Sequence, residues 1–287
     1  MKRLVLCLAL GALVPAAASA TSAYLVGAKQ LSVQPTYSHQ WASDFWFNST
    51  PFPLSGDLVQ DTVGIDGQYG LAPRVALDWS VAYSTVNYDG GTVAGLTLTR
   101  DGRQRRSGLA DSLVGLSYNL TDEFTSVSDA TPTITARVGG IIAGTYDTGF
   151  LNAPGDGASG FEFGLLFAKF IPTWNAGFYG DLGYRWLSGD TPDAWQGSLG
   201  AYKTFGTLTF SAGLREYHST SGIDILGPGF NSLDSFTAVQ EINRTYEVGL
   251  TWRQSDARSF SIGYAHTFDG ENTPRKRVIV LAGNLLF

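Results

Sequence analysis

Residues 276–287 read Lys-Arg-Val-Ile-Val-Leu-Ala-Gly-Asn-Leu-Leu-Phe, and their two-residue rhythm decides the fold. Counting back from Phe287 by twos places Leu285, Gly283, Leu281 and Ile279 on one face, and Leu286, Asn284, Ala282, Val280 and Val278 on the other. One face is large and oily; the other is smaller and partly polar. Successive side chains of a strand point to opposite sides. About ten residues alternating in this way fit a tilted transmembrane strand with lipid on one side and a barrel interior on the other.

Twelve segments repeat the pattern. Leu31, Val33, Pro35, Tyr37 and Trp41 oppose Ser32, Gln34, Thr36, Ser38 and Gln40, with Pro35 unable to donate to a ladder. Val63, Ile65 and Tyr69 follow, and then Val75, Leu77, Trp79, Val81 and Tyr83. Later segments show the same oily parity: Val114 to Leu120, Ile134 to Ile142, Phe161 to Phe167, Phe178 to Trp186, Trp195 to Phe205, Leu208 to Leu214, Tyr246 to Trp252 and Phe260 to Tyr264. An even count returns both termini to one side, the periplasmic side of an up-and-down antiparallel barrel. Connections alternate in length as such a barrel requires. Those at 71–73, 172–174, near Gly206 and at 255–257 are short, with 121–130 the exception, whereas 43–56, 89–107, 147–159, 219–238 and 270–275 are longer.

Residues Met1 to Ala20 read as a secretory signal peptide, with Lys2 and Arg3 before an apolar core and Ala18-Ser19-Ala20 at the cleavage site. Its removal takes away Cys7, the one cysteine, and leaves residues 21–287 as a single barrel domain with neither disulfides nor a thiol nucleophile. No run of eighteen apolar residues follows, so no ordinary transmembrane helix is expected. An acidic chain with one short basic cluster does not suit nucleic acid. No metal or cofactor is expected: there is no close His pair, and residues 147–157 lack the acidic spacing of a calcium loop.

The inward parity collects charges of both signs. Asp66, Asp78, Asp111, Glu162, Asp181 and Glu247 stand against Arg74, Arg137, Arg185, Arg215 and Arg253. They read as a polar lumen lining that selects solutes by charge and size, or as an electrostatic core that fills the interior. Two long loops are apolar: 43–56, with Phe45, Trp46 and Phe47, and 219–238, with Phe230 and Phe236. Such loops capture a solute, or pack on one another or in the outer aromatic girdle. Arg100, Arg103, Arg105 and Arg106 form a basic loop cluster suited to lipopolysaccharide phosphates, or merely solvated. His39, His218 and His266 each fall on the outward parity near the loop ends of strands. A lipid hydrolase would place its base there, yet no Ser motif accompanies them, and no catalytic residues are assigned.

The stretch Ser107-Gly108-Leu109-Ala110-Asp111-Ser112-Leu113-Val114-Gly115-Leu116-Ser117-Tyr118, with the Gly-Tyr pairs at Gly183-Tyr184 and Gly263-Tyr264, resembles the outer-membrane family named for the meta-pathway of phenol degradation. The resemblance implies a channel or transporter for small, often aromatic or hydrophobic compounds, and no catalytic residues. The chain differs from the long-chain fatty-acid transporter type, because residues 21–30 are too short for a comparable N-terminal plug domain. The terminal Phe287 is similar to the end of bacterial outer-membrane barrels, whose last strand is thought to be read by the barrel-assembly machinery. The expected place is thus the outer membrane of a Gram-negative bacterium, among outer-membrane lipids and lipopolysaccharide, with a small-molecule solute as ligand. A plugged structural or surface-binding barrel is the alternative, and a lipid-modifying enzyme a third.

Overall fold

The computed structural model describes residues 22–93, 96–97, 101–225, 227–230 and 233–287. The signal-peptide stretch and Arg100 lie outside them. The strands are β1 (Leu31–Phe47), β2 (Thr50–Ala72), β3 (Val75–Tyr88), β4 (Thr92–Val93), β5 (Leu96–Thr97), β6 (Arg105–Leu109), β7 (Ser112–Thr121), β8 (Thr133–Ile142), β9 (Gly160–Ile171), β10 (Ala176–Leu187), β11 (Ala194–Phe205), β12 (Leu208–Ser219), β13 (Ile242–Ser255), β14 (Arg258–Glu271) and β15 (Arg277–Leu286). All pairings within the sheet are antiparallel between neighbours. The sheet runs β2-β1-β15-β14 and onward through β7 and β3, and the β2–β3 pairing closes it into a barrel. Twelve staves make the wall, as the sequence predicts. Closure is demanded by the surroundings, since each unpaired backbone group in lipid costs several kcal/mol.

The fourth stave is broken. Segment β7 pairs with β3 over Val75–Ser80, and β6 continues the same line over Tyr83–Asn87. Across the break, the Asp111 carboxylate accepts from Gly144 N at 2.8 Å and from the Tyr146 hydroxyl at 2.7 Å. It also accepts from Gly157 N at 3.3 Å. Asp111 thereby ties residues 143–159, the connection between β8 and β9, to the gap in the wall.

The closing pair forms around Pro35. Pairing of β1 with β15 holds at Val33↔Leu285 and resumes in the same register at Thr36↔Ala282. The missing rungs sit at Gln34 and Pro35, where the proline has no N–H to give. Pairing with β2 on the other side is continuous through Pro35↔Ile65, so one proline thins the seam without opening it.

The oily parity faces outward. Val63 is 61% exposed, while Thr62 on the same strand is 7% exposed and faces the interior. In the terminal strand Ile279 and Leu281 are exposed and Val278 and Val280 buried. Exposed rings cluster near both ends, with Trp174, Phe205 and Phe287 at the short-turn end and Phe161, Trp186 and Trp195 at the loop end. An apolar wall between two aromatic girdles is the surface of a barrel immersed in lipid.

Residues 43–56 are not a loop. Strands β1 and β2 run on through them as a hairpin, with Phe45↔Phe52 and Phe47↔Thr50 paired and the turn at Asn48–Ser49. The ladder carries the chain beyond the wall because β-rich Phe45, Trp46, Phe47 and Phe52 suit paired strands better than an irregular loop. Asn48 takes the left-handed conformation the turn needs, with φ of 51°.

Residues 22–30 enter the short-turn end of the barrel, although they form no domain. Ala23 and Val26 are buried. Thr135 Oγ1 donates to Ala23 O at 2.6 Å, and Val26 N donates to Gln68 Oε1 at 2.8 Å. Gly70 and Lys29 complete the anchorage through Lys29 N to Gly70 O at 2.7 Å.

Candidate functional site

A belt of charge crosses the barrel interior. Strand alternation points Arg137 of β8, Glu162 of β9, Arg185 and Asp181 of β10, Arg215 of β12 and Glu247 of β13 inward, and antiparallel register sets them side by side: Arg185 pairs with Glu162, and Ser198 with both Asp181 and Arg215. Glu162 lies between two guanidiniums, 3.7 Å from Arg137 Nη1 and 3.6 Å from Arg185 Nε. Arg215 lies between two carboxylates, with Nε 3.7 Å from Glu247 and Nη1 3.9 Å from Asp181. These ion pairs are longer than hydrogen bonds. On the opposite wall Asp78 accepts from Gln68 Nε2 at 2.7 Å and from the Ser117 hydroxyl at 2.5 Å. Strand register carries the row round the wall, from Glu162 through Gly139 and Gly115 to Asp78, with Asp66 beside it opposite Ser80.

The belt divides the interior into two chambers. One, of about 200 Å³, opens toward the short-turn end and is lined by Tyr24, Val26, Ser32, Asp66, Asp78 and Arg253 among others. The second, of about 230 Å³, lies toward the loop end, with Arg185 and Arg215 at the belt, Asp156, Glu241 and Lys276 above them, and Phe45, Leu58, Phe150, Leu151 and Phe236 as apolar wall. The belt is polarised: the carboxylates Asp66 and Asp78 line the first chamber and the two arginines line the second.

Over the second chamber the aromatic residues form a cap. Phe45 and Phe47 pack with Leu58, Val86, Tyr88, Ile225 and Val239, and Phe230 and Phe236 pack against that cluster. Phe45 and Phe47 rings lie 5.1 Å apart, and Phe230 meets Phe236 edge-on at 6.1 Å. Trp46, between them in the strand, is also buried, and its backbone N–H donates to Thr273 O at 2.9 Å. Burying each Phe contributes roughly 2 kcal/mol, so the hairpin and residues 219–241 hold each other over the mouth. The rings pack on one another while Phe45 and Phe236 also face the chamber.

Residues 147–156 enter the same chamber and are pinned from behind. Arg106 stacks on Phe150 at 3.5 Å and donates to Asp101 Oδ2 at 2.7 Å, Asp147 Oδ2 at 3.1 Å and Asn152 Oδ1 at 3.0 Å. The Arg106 guanidinium holds the exposed Asp101 carboxyl below the usual range. Arg103 shares Asp147, at 3.0 Å. Of the basic cluster, Arg106 is therefore a buried node, Arg103 is paired and Arg105 is exposed.

The structure gathers most, not all, of the inward charges the sequence predicts. Asp66, Asp78, Arg137, Glu162, Asp181, Arg185, Arg215 and Glu247 meet at the belt, and Arg253 lines the first chamber. Arg74 sits instead in the Pro73–Arg74 turn, exposed, donating to Leu120 O at 3.0 Å, because the strand ends one residue before the alternation does. Asp111 serves the break in the wall. Asp156 and Glu241, both chamber residues, lie in connections where two-residue alternation gives no signal. The three histidines keep to the outer wall: His39 Nδ1 is 2.9 Å from Asp61, His218 Nδ1 is 3.7 Å from Glu216, and His266 Nδ1 is 3.2 Å from Lys276 O.

No family model matches the chain, and no curated protein matches it. Among solved structures the barrel is similar to the COG4313 outer membrane channel from Pseudomonas putida F1, with a TM-score of 0.70 at 12% identity over 91% of this chain and 97% of that one. It is also similar to the translocator domain of autotransporter NalP from Neisseria meningitidis, with a TM-score of 0.46 at 10% identity over 91% and 89% of the two chains. The P. putida toluene transporter TodX follows with 0.43 at 9% identity over 90% and 89%. The last two superpose too loosely to carry an argument, and at 12% identity the first shows that the chain has the fold of an outer-membrane barrel.

Proposed function

We propose that this protein is an outer-membrane channel of a Gram-negative bacterium that admits small hydrophobic or aromatic solutes, with the short-turn end in the periplasm and the loop end outside. The observation that carries this reading is the pair of chambers, one on each face of a single charged layer. A solid core would have no reason to leave two cavities against its ion pairs, whereas a path across the membrane needs a waiting site on each side of its narrowest point. The loop-end chamber supports the solute class, because its aromatic cap offers apolar contact before the charged belt is met.

Insertion of residues 22–30 favours a second reading, in which the barrel is plugged and acts as a structural or surface-binding protein. Lipopolysaccharide at exposed Arg105, and the barrel-assembly machinery at the β15 face ending in exposed Phe287, are the partners proposed under either reading.

Single-channel recording and liposome swelling with the refolded mature chain separate the two. Ion steps and uptake of small aromatic solutes are expected. Silence from the whole chain, with current restored in a variant lacking residues 22–30 or absent from both, would favour the plugged barrel.

A further inference from the structure

Resting on the channel reading, we infer that the loop-end chamber selects small amphiphilic anions, seating a carboxylate on Arg185 and Arg215 and the apolar body against Phe150, Leu151 and Phe236.

Both arginines line this chamber, and their partners Glu162, Asp181 and Glu247 do not. Arg185 is 6% exposed, so its charge is taken almost wholly out of bulk water. Its nearest carboxylate oxygen stands 3.6 Å from Nε, and those of Arg215 stand at 3.7 Å and 3.9 Å. Arg185 Nε and Arg215 Nε are both buried without a hydrogen-bond partner. Two guanidiniums are thus charge-balanced by neighbours that leave their Nε–H groups unsatisfied. With no short bond holding it to the belt, a guanidinium that also lines the chamber is available for the charge-assisted, bidentate pairing that arginine makes with a carboxylate.

Charge in the chamber points the same way. Lys276 is a third cation, 3.9 Å from Glu241 Oε1, and besides Glu241 the acids at the space are Asp156 and Glu216. Glu241 is already engaged, accepting from Thr273 Oγ1 at 2.6 Å and Asn243 Nδ2 at 3.0 Å. Glu216 also borders the space, but its carboxylate pairs with Arg244 at 3.3 Å on the outer wall. A cationic solute would find Asp156 alone and would have to lie over two arginines. At about 230 Å³ the space suits a solute of one ring. Moving such an anion past the belt needs no covalent step: it exchanges the carboxylates of the belt for its own.

The test uses the full mature chain in detergent, with benzoate, benzyl alcohol and benzylamine as probes. Calorimetric titration should show benzoate binding most tightly. Arg185→Gln or Arg215→Gln should weaken it about tenfold, as expected for loss of one charge-assisted pair. Because a belt variant can misfold, Asp156→Asn provides the complementary arm: it removes the competing carboxylate outside the belt and should tighten benzoate binding. Equal or tighter binding of benzylamine, or no response of benzoate to any of the three substitutions, would overturn the inference. Planar-bilayer recording separates it from the parent reading. A conducting barrel whose current benzoate does not block removes the anion site and keeps the channel; benzoate binding by a barrel that never conducts does the reverse.

Discussion

The Tyr24 hydroxyl donates to Glu123 Oε1 at 2.5 Å, joining the segment ahead of the first strand to the turn between β7 and β8. Glu123 is held in place by Lys169 Nζ at 2.9 Å and by Phe170 N at 3.0 Å. Burial, followed by that hydrogen bond to Glu123, pushes the Tyr24 phenol far above its ordinary range, so the tether survives into alkaline solution. Tyr24→Phe keeps the ring and removes the donor, at a cost of about 1 kcal/mol. Single-channel current should become noisier and its mean should rise. A variant indistinguishable from the parent would show that the tether does not restrict the path.

Gly70 gives a steric version of the same experiment. A Cβ built there would collide with the Gly27 carbonyl oxygen, and Gly70 N also donates to Gln30 O at 3.0 Å. Gly70→Val sits within a strand that tolerates a β-branched residue, so the barrel should still close while residues 22–30 are displaced. Protease cleavage within 22–30 should become rapid, and conductance should approach that of the chain lacking them. Retained protection would mean that the segment is held by Tyr24, Ala23 and Val26 without needing the Gly70 contact.

Glu162 is the shared counter-charge of Arg137 and Arg185 and is 4% exposed. Glu162→Ala leaves both guanidiniums buried without it, and losing one partner of a buried pair costs about 3 kcal/mol or more. The temperature at which strand circular dichroism is lost should fall. Adding Arg185→Leu should recover part of the loss, because it removes one of the stranded charges. An unchanged melting temperature for Glu162→Ala would indicate that lumen water replaces the carboxylate fully.

Strand positions and the inward charges were legible because β-structure has a period of two, which sorts Arg137, Glu162, Arg185, Arg215 and Glu247 to one side with no further information. That rule fails wherever the ladder stops. It carries Arg74 into the interior although the turn has begun, and it cannot separate Asp111, at a break in the wall, from its neighbours in a strand. The hairpin over 43–56 was hidden because long connections of barrels are ordinarily loops. Residues 22–30 have no periodicity of their own, and their position follows from contacts with Gln68, Gly70, Glu123 and Thr135, all distant in sequence. Which arginine faces which chamber is likewise a property of the closed ring.

Asp156 should make the loop-end chamber sensitive to mild acid. Its side chain is open to the chamber, yet its carboxyl is raised to about 6, first by the surrounding barrel that holds bulk water away and then by the Glu241 charge, with Asp111 adding to the rise and Arg185 and Lys276 opposing it. Tyr217 of β12 and Tyr146 of its own connection also face this group, both as protonated phenols. The folded barrel therefore binds this proton more tightly than the unfolded chain does, whose carboxyl titrates near 3.8. Stability from this group is greatest in acid, declines as pH rises from about 3.8 to about 6, and is constant above. The electrical consequence is easier to measure. Ionised Asp156 offsets one of the three chamber cations, and protonation releases that offset, so chloride should be favoured over potassium more strongly near pH 5 than near pH 7.5. Reversal potentials under a potassium chloride gradient report the change directly. Asp156→Asn should show the acid-side selectivity at both values, and a variant that keeps the full pH dependence of the parent would place the titrating group elsewhere.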